Sequence, residues 1–399
     1  MEETDFVDFE TEQAPEIRTS AQQDEAIEAA IDWFEMGRET RRPMFKLFGY
    51  AGTGKTTIAK MIARRFRGNV HFAAYTGKAA SVLRAKGCTG AGTIHGLIYR
   101  PRNQNTQVEK KDADGAVVGT VTVKELKFDL HGAALQDPRS RDLVIIDECS
   151  MVGEKVGQDL LSFRKPILVL GDPAQLPPVG DGGFFTNGEP DVMLTEIHRQ
   201  KEGCGILDIA TAVRTGAGLR VGTYEESHVL PRSAMWSIDP LEFDQVICGT
   251  NATRRAWNRR IRLRLGRDSR HPVPGDRLIC LRNNHRLGLM NGEQVDVLEI
   301  RKQPTERSKI LDMIVDRDGQ AMNVKAPTHY FDEEQGDPEW SGDEFVFFDF
   351  GYAITCHKSQ GSQWPRVMVI NESRVFRHDA DRWLYTAVTR ASSMVTVVG

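Results

Sequence analysis

The sequence has no apolar run long enough to span a bilayer, and it opens without the basic and then apolar segments of a secretory leader. No membrane partner is therefore expected, and the cytoplasm of a bacterial or phage-infected cell is the expected setting. Cysteine is sparse. Cys88, Cys149, Cys204, Cys248, Cys280 and Cys356 are scattered, and no two are spaced C-x-x-C, so neither a zinc site nor a redox pair is indicated. An excess of basic charge is also lacking: the formal net charge is −4. A polyanionic partner would need a local basic groove rather than a basic protein. No short-period repeat, nuclease motif or N-K-x-D guanine-reading motif is present. Residues 1–17 carry seven carboxylates and read as a solvated acidic tail. What remains is 40% apolar and 27% charged, the composition of a globular chain, and 399 residues suggest two or three domains.

The first third alternates helices with short apolar strands. Ser20 is placed to cap a helix through Phe34, with Ala26, Ile27, Ala30, Ile31 and Phe34 on one face. Strands are expected at 45–48, 70–74, 144–146 and 167–170, and helices at 55–66 and 78–86. That rhythm implies an α/β fold whose parallel sheet is covered on both sides, with ligands gathering at the strands' carboxyl ends. Residues 101–142 break the rhythm. They are polar, with an Asp114-Gly115 turn signal between β-prone stretches ending near Val123, and they predict a hairpin insertion. Residues 273–345 predict a small β-barrel insertion, with turn signals at Asn291-Gly292 and Asp318-Gly319. Between these lie a strand at 245–248 and a basic helix from Ala252 to about Leu265. The α/β rhythm returns at 352–355 and 367–370 and closes with a helix and a strand.

Gly49-Tyr50-Ala51-Gly52-Thr53-Gly54-Lys55-Thr56 fits G-x-x-x-x-G-K-[ST] between a strand and a helix. Glycines let backbone N–H groups approach phosphate, and the helix start adds positive partial charge. Lys55 would reach the β- and γ-phosphates of a nucleoside triphosphate, and Thr56 would ligate Mg²⁺. Asp147 and Glu148 follow the strand at 144–146, so Asp147 would hold the metal and Glu148 would deprotonate the attacking water. Gln175 sits in a Pro- and Gly-rich loop after the fourth strand. Both a γ-phosphate contact and a plain solvated turn fit it, and local physics favours the turn. Arg199 and Arg390 are candidates for a charge delivered across an interface, although a lone arginine more often forms a surface ion pair.

In order along the chain these pieces resemble superfamily 1 helicases, specifically the RecD/Dda-type branch. Ser20-Ala21-Gln22-Gln23 resembles the adenine-reading Q motif, Gly49 to Thr57 motif I, and Thr76-Gly77-Lys78-Ala79-Ala80 motif Ia. Thr93-Ile94-His95-Gly96 resembles the segment after it. Asp147-Glu148-Cys149-Ser150-Met151 is similar to motif II, and Gly171 to Pro177 to motif III. Leu194 to Gln200 is similar to motif IV, Tyr352 to Ser362 to motif V, and Tyr385-Thr386-Ala387-Val388-Thr389-Arg390-Ala391 to motif VI.

The resemblance implies two RecA-like P-loop domains with ATP and Mg²⁺ between them. The first spans 19–195 and the second 196–272 and 346–399, with 101–142 as hairpin insertion 1B and 273–345 as an SH3-like domain 2B. Gln23 would read adenine. Gly49, Ala51, Gly52, Thr53, Gly54, Lys55, Thr56, Thr57 and Gly361 would surround the nucleotide. Arg199 and Arg390 would both reach the γ-phosphate, and with Gln175 they would couple it to domain closure. Single-stranded DNA would cross both domains over Thr76, Lys78, His95, Thr355, His357, Lys358 and Ser359, moving 5′ to 3′. Phe128 would be either a wedge against the last base pair or part of the insertion's core. Single-stranded DNA and single-strand/duplex junctions are the expected partners, together with a single-strand-binding protein or replisome component, and the chain is expected to act as a monomer. Arg254, Arg255, Arg259, Arg260, Arg262 and Arg264 of the basic helix read by default as a solvated face, and only some of them could face a groove. An RNA remodeller on the same motor and a non-unwinding nucleotide switch are the alternatives.

Overall fold

The computed structural model describes residues 19–37, 40–111, 117–137, 139–177, 183–196, 205–284, 286–333 and 343–399, except the side chains of 101 and 103–128. Helix α1 (Ala21–Glu35) starts where a cap is available. The Ser20 side chain accepts from Gln23 N–H, and Gln23 Oε1 accepts from Ser20 N–H at 3.1 Å. Its buried stripe is Ala26, Ile27, Ala30, Trp33 and Phe34. Strand β1 (Met44–Gly49), α2 (Lys55–Arg65), β2 (Asn69–Ala74), α3 (Gly77–Ala85), β3 (Gly92–Thr93) and α4 (Ile94–Ile98) follow. Next come a long hairpin of β4 (Tyr99–Lys111) and β5 (Val117–Leu130), then β6 (Asp142–Asp147), α5 (Glu154–Ser162), β7 (Ile167–Gly171) and β8 (Val192–Leu194). Apart from the hairpin, these strands form one parallel sheet in the order β3-β2-β6-β7-β1-β8. Val144, Ile145 and Ile146 at its centre are fully buried, as a sheet covered on both faces requires.

The hairpin is longer than expected. β5 continues past Val123 to Leu130, and β4 begins at Tyr99. The expected Asp114-Gly115 turn lies outside the described residues. Asp142 was expected to close the insertion. It instead opens β6, where it is buried and paired with Asn69.

The second half contains α6 (Gly205–Arg214), β9 (Gly222–Tyr224), β10 (Ser227–Leu230), β11 (Gln245–Cys248) and α7 (Asn251–Arg264). It continues with β12 (Arg277–Cys280), β13 (Gln294–Lys302), β14 (Ile310–Arg317), β15 (Gln320–Pro327) and β16 (Phe348–Phe350). The last elements are β17 (Ala353–Thr355), α8 (Cys356–Ser359), β18 (Trp364–Ile370), α9 (Ala380–Val388) and β19 (Ala391–Val398). A second sheet runs β17-β11-β18-β19-β10-β9, parallel except for β9 against β10.

An antiparallel sheet, β15-β14-β13-β12-β16, stands apart with its own core. Asp318 and Gly319 both have positive φ and make the tight turn between β14 and β15. Val346 N–H donates to Lys325 O, drawing the two edges of that sheet together. Because β16 pairs with β12, the sheet extends past its expected end at residue 345. No helix among the described residues is long and apolar enough to cross a membrane.

Candidate nucleotide cleft and strand groove

The phosphate loop leaves β1 through a crowded point. A Cβ on Gly49 would lie 2.6 Å from Thr53 Oγ1 and 2.8 Å from Leu194 Cβ, so only glycine fits between the loop and β8. Gly52 and Gly54 turn the loop at φ 86° and 81°. Lys55 Nζ donates to the Gly49 and Tyr50 carbonyls at 2.6 and 2.9 Å. Gly49 and Thr53 shape the loop from beneath and do not line the cleft above it. Thr53 is fully buried, and its Oγ1 donates to Tyr50 O at 2.9 Å.

A cleft of about 670 Å³ gathers residues from both parallel sheets. From the first come Gln23, Ala51, Gly52, Gly54, Lys55, Thr56, Thr57, Asp147, Glu148 and Gln175, and from the second Gly361 and Arg390. Thr56 Oγ1 stands 3.3 Å from Asp147 Oδ2, so two hard oxygen donors share one corner. Burial pushes the Asp147 carboxyl above its ordinary range, and neighbouring Glu148 adds to this. Such a corner suits a divalent cation bound mainly by phosphate and water.

Glu148 adopts a left-handed backbone at φ 53°, which turns the chain sharply after β6. Its side chain is half-buried at the cleft. Gln23 Nε2 donates to Thr53 O at 3.1 Å, so the residue expected to read adenine also braces the phosphate loop.

Two cleft residues depart from what local sequence favours. Gln175 is buried, and its Oε1 has no hydrogen-bond partner, so the solvated turn is overturned. Arg390 is 3% exposed, not a surface residue. Its guanidinium donates to Thr386 O at 3.1 Å and to Ser362 O and Thr389 Oγ1 at 3.4 Å. Among the described residues no carboxylate pairs with it. Arg199 lies outside the described residues. Lys86, Asp172, Gln363 and Ser392 also line the cleft and were not anticipated. Asp172 lies in the motif III segment itself, a signal that was available.

A second cavity of about 560 Å³ opens beside α3. Thr76, Lys78, Thr355, His357 and Lys358 line it, as expected for a strand-holding groove. Thr76 caps α3 by accepting from Ala79 N–H at 3.2 Å, which leaves its hydroxyl proton free for an anion. Lys78 Nζ sits 4.7 Å from the Trp364 ring centroid, and burial lowers its ammonium to about 8. Burial also depresses His357 and Lys358. Ser359 is a correction: it is fully buried, its Oγ donates to Cys356 O at 2.7 Å, and it does not face the groove. Trp364 is 9% exposed and belongs to the core packed on the second parallel sheet.

His95 does not line the groove. It packs between Tyr75 and Tyr99, with ring centroids at 5.7 and 5.5 Å, and burial lowers its pKa. Tyr75, Asn291 and Phe376 are groove residues that sequence reasoning missed. The Phe128 backbone lies opposite Pro101 in the hairpin, and its side chain is outside the described residues.

The arginines of α7 are mostly engaged. Arg262 is buried against Asp276 at 2.9 Å, Arg254 pairs with Asp349 at 2.8 Å, and Arg264 pairs with Asp239 at 2.8 Å. Arg260 donates to the carbonyls of Met235, Trp236 and Ile238. The expected solvated face is largely a structural one, and of these arginines Arg254 reaches the groove.

A family model for an AAA domain matches residues 18–232, and one for a UvrD-like helicase C-terminal domain matches residues 350–398. The ATP-dependent RecD2 DNA helicase of Deinococcus radiodurans is 25% identical over 380 residues, covering 86% of this chain and 45% of that protein. RecBCD enzyme subunit RecD of Mycolicibacterium smegmatis is 26% identical over 412 residues, covering 88% and 68%. The chain thus spans less than half the length of the first relative and about two thirds of the second. A solved Bacteroides Pif1 bound to single-stranded DNA superposes with a TM-score of 0.54 at 19% identity, covering 96% of this chain and 92% of that one. A Pif1 helicase structure addressing unwinding at forked duplex DNA gives 0.56 at 20%, covering 95% and 92%. At these identities the structural likeness is one of fold.

Proposed function

The chain belongs to the AAA-domain family, on its RecD/Pif1-like superfamily 1 branch, and from that premise we propose that it is an ATP-driven DNA helicase moving 5′ to 3′ on single-stranded DNA. The observation that carries this is the meeting of Lys55, Thr56, Asp147, Glu148, Gln175 and Arg390 in one cleft between two parallel sheets, with a second, basic groove on the other side of α3. ATP occupies the cleft with its phosphates over α2. Bound at Thr56 and Asp147, Mg²⁺ supplies charge neutralisation at the phosphates. Glu148 orients the attacking water and accepts its proton. Arg390 and Arg199 neutralise charge at the γ-phosphate, and the Gln175 amide registers its presence. Gln23 selects adenine.

The two parallel sheets then correspond to RecA-like domains, the β4–β5 hairpin to 1B, and the antiparallel sheet to an SH3-like 2B. Thr76, Lys78, Thr355, His357 and Lys358 hold the strand, His95 backs Tyr75 at the rim, and Phe128 on the hairpin meets the junction. Single-stranded DNA and forked junctions are the partners, with a single-strand-binding protein as a further one.

Duplexes with a 5′ or a 3′ single-stranded tail test activity and polarity together. Separation of the 5′-tailed duplex alone, dependent on ATP, is expected. Separation of the 3′-tailed duplex alone reverses the polarity. Intact strand-stimulated hydrolysis with no separation on any tail rejects unwinding, and stronger stimulation by RNA than by matched DNA overturns the DNA assignment.

The groove also predicts a pH dependence. Unliganded Lys78 loses its proton as pH rises through about 8, whereas a bound phosphate favours the charged form. Binding therefore takes up a proton above pH 8, and strand affinity falls with rising pH, at most about tenfold per pH unit for one proton. Fluorescence anisotropy at constant ionic strength measures this. Lys78→Arg, which stays charged and still stacks on an indole, should flatten the profile between pH 8 and 9.5.

A further inference from the structure

Three ties cross from the second sheet's helices to the phosphate loop and its neighbour. Ala51 N–H donates to Tyr385 Oη at 2.9 Å, and Tyr385 O–H donates to Asp172 Oδ2 at 2.9 Å. Arg214, at the end of α6, lays its guanidinium 3.8 Å from the Tyr50 ring centroid. Thr386 Oγ1 accepts from Leu176 N–H at 2.7 Å, and Gln360 Nε2 donates to Leu176 O at 2.6 Å. The first tie differs from the others because it joins three separate pieces of the cleft at one atom. A phenol has a single proton. With a lone pair of the oxygen taken by Ala51 N–H, that proton is committed to Asp172. Tyr385 is 2% exposed, so no water competes for the arrangement.

Ala51 belongs to the phosphate loop. Asp172 opens the loop that carries Gln175, with Ala174 N–H held on Asp172 Oδ1 at 3.0 Å. Tyr385 itself lies on α9, which ends at Val388, two residues before Arg390. One hydroxyl thus references the phosphate loop, the Gln175 loop and the helix that leads into Arg390 to one another. Tyr385 itself is not among the residues lining the cleft.

We propose that Tyr385 is a positioning residue for ATP hydrolysis, whose hydroxyl fixes Arg390 in register with the phosphate loop through Ala51 and with the Gln175 loop through Asp172. The inference rests on the hydrolytic reading given above. It concerns a residue that acts through Arg390 and makes no demand on the strand groove.

Tyr385→Phe keeps the ring, its packing and both other ties, and removes only the shared hydroxyl. The expected result is a fall of about tenfold in kcat for ATP hydrolysis, as for one hydrogen bond to a charged partner, with KM for ATP within about twofold and a slightly lowered thermal midpoint, because Ala51 N–H and Asp172 each lose a buried partner. In an Arg390→Ala background, followed by single-turnover hydrolysis, the same substitution should cause no further loss, because the group it positions is gone. A kcat within about twofold of the parent, or a second full loss in the Arg390→Ala background, overturns the proposal. Turnover is measured with and without single-stranded DNA. A parent protein that hydrolyses ATP without strand stimulation rejects the helicase reading, while Tyr385 is still judged on basal turnover.

Discussion

Arg390→Ala is expected to lower kcat for ATP hydrolysis by about 10³-fold, the lower end for an arginine neutralising γ-phosphate charge, or about 4 kcal/mol of transition-state stabilisation. Its surroundings explain why the loss falls on catalysis and not on folding. The guanidinium is more than nine-tenths buried, yet its partners among the described residues are Thr386 O, Ser362 O and Thr389 Oγ1, all neutral. A buried cation without a countercharge is costly, and an incoming phosphate relieves that cost. The uncompensated charge and the catalytic one are the same, and alanine strands no countercharge among the described residues, so the fold should tolerate the change. Arg262 makes the contrast. It is paired with fully buried Asp276, and its removal would strand a carboxylate in the core. Steady-state hydrolysis alongside thermal melting separates the two cases. An Arg390→Ala protein that turns over within about tenfold of the parent would remove this residue from the reaction.

Glu148→Gln should reduce hydrolysis by about 10² to 10⁴-fold, the range for loss of a general base, and leave nucleotide binding intact or tighter. Glutamine has nearly the same shape and can hydrogen-bond to water, but it cannot accept the proton. The sign of the binding effect follows from the neighbour. Glu148 is one of the charges holding the Asp147 carboxyl up, so removing that charge lets Asp147 ionise more readily and favours a metal–nucleotide complex. The protein should therefore persist as an ATP-bound complex on single-stranded DNA. Single-turnover hydrolysis and anisotropy with ATP read the two effects separately. Weakened nucleotide binding would show that Glu148 holds the ligand rather than the water.

These two carboxylates and the phosphate loop were legible because each is a local arrangement. A strand, a turn and a helix start fix Lys55 and Thr56 within a dozen residues, and the buried run Val144 to Ile146 delivers Asp147 to the strand end. The burial of Gln175 was not legible from its neighbours, because it depends on packing 210 residues away, where Thr386 takes the adjacent Leu176 N–H. Tyr385 was hidden for the same reason. The charge run on α7 misled in the opposite direction. Its arginines look solvated until Asp276, Asp349 and three backbone carbonyls arrive to meet them. Ser359 follows two groove residues in sequence, but it sits at the end of a four-residue helix that turns its hydroxyl inward. The second half of β5, at the base of the hairpin, was a miss with a signal available. Leu126, Phe128 and Leu130 alternate with polar residues, the period of a strand that continues.

Helix α3 carries Thr76 and Lys78 toward the strand groove, and Ala79, Val82 and Lys86 toward the nucleotide cleft. On the proposed function, this nine-residue helix and its two caps therefore belong to two binding equilibria at once. Whatever factor ATP imposes on the affinity for DNA through this helix, DNA must impose on the affinity for ATP. A nucleotide that loosens the strand is itself loosened by the strand. Stepping and product release would then be two faces of a single free energy, stored in the tilt of one short rod shared by fuel and track.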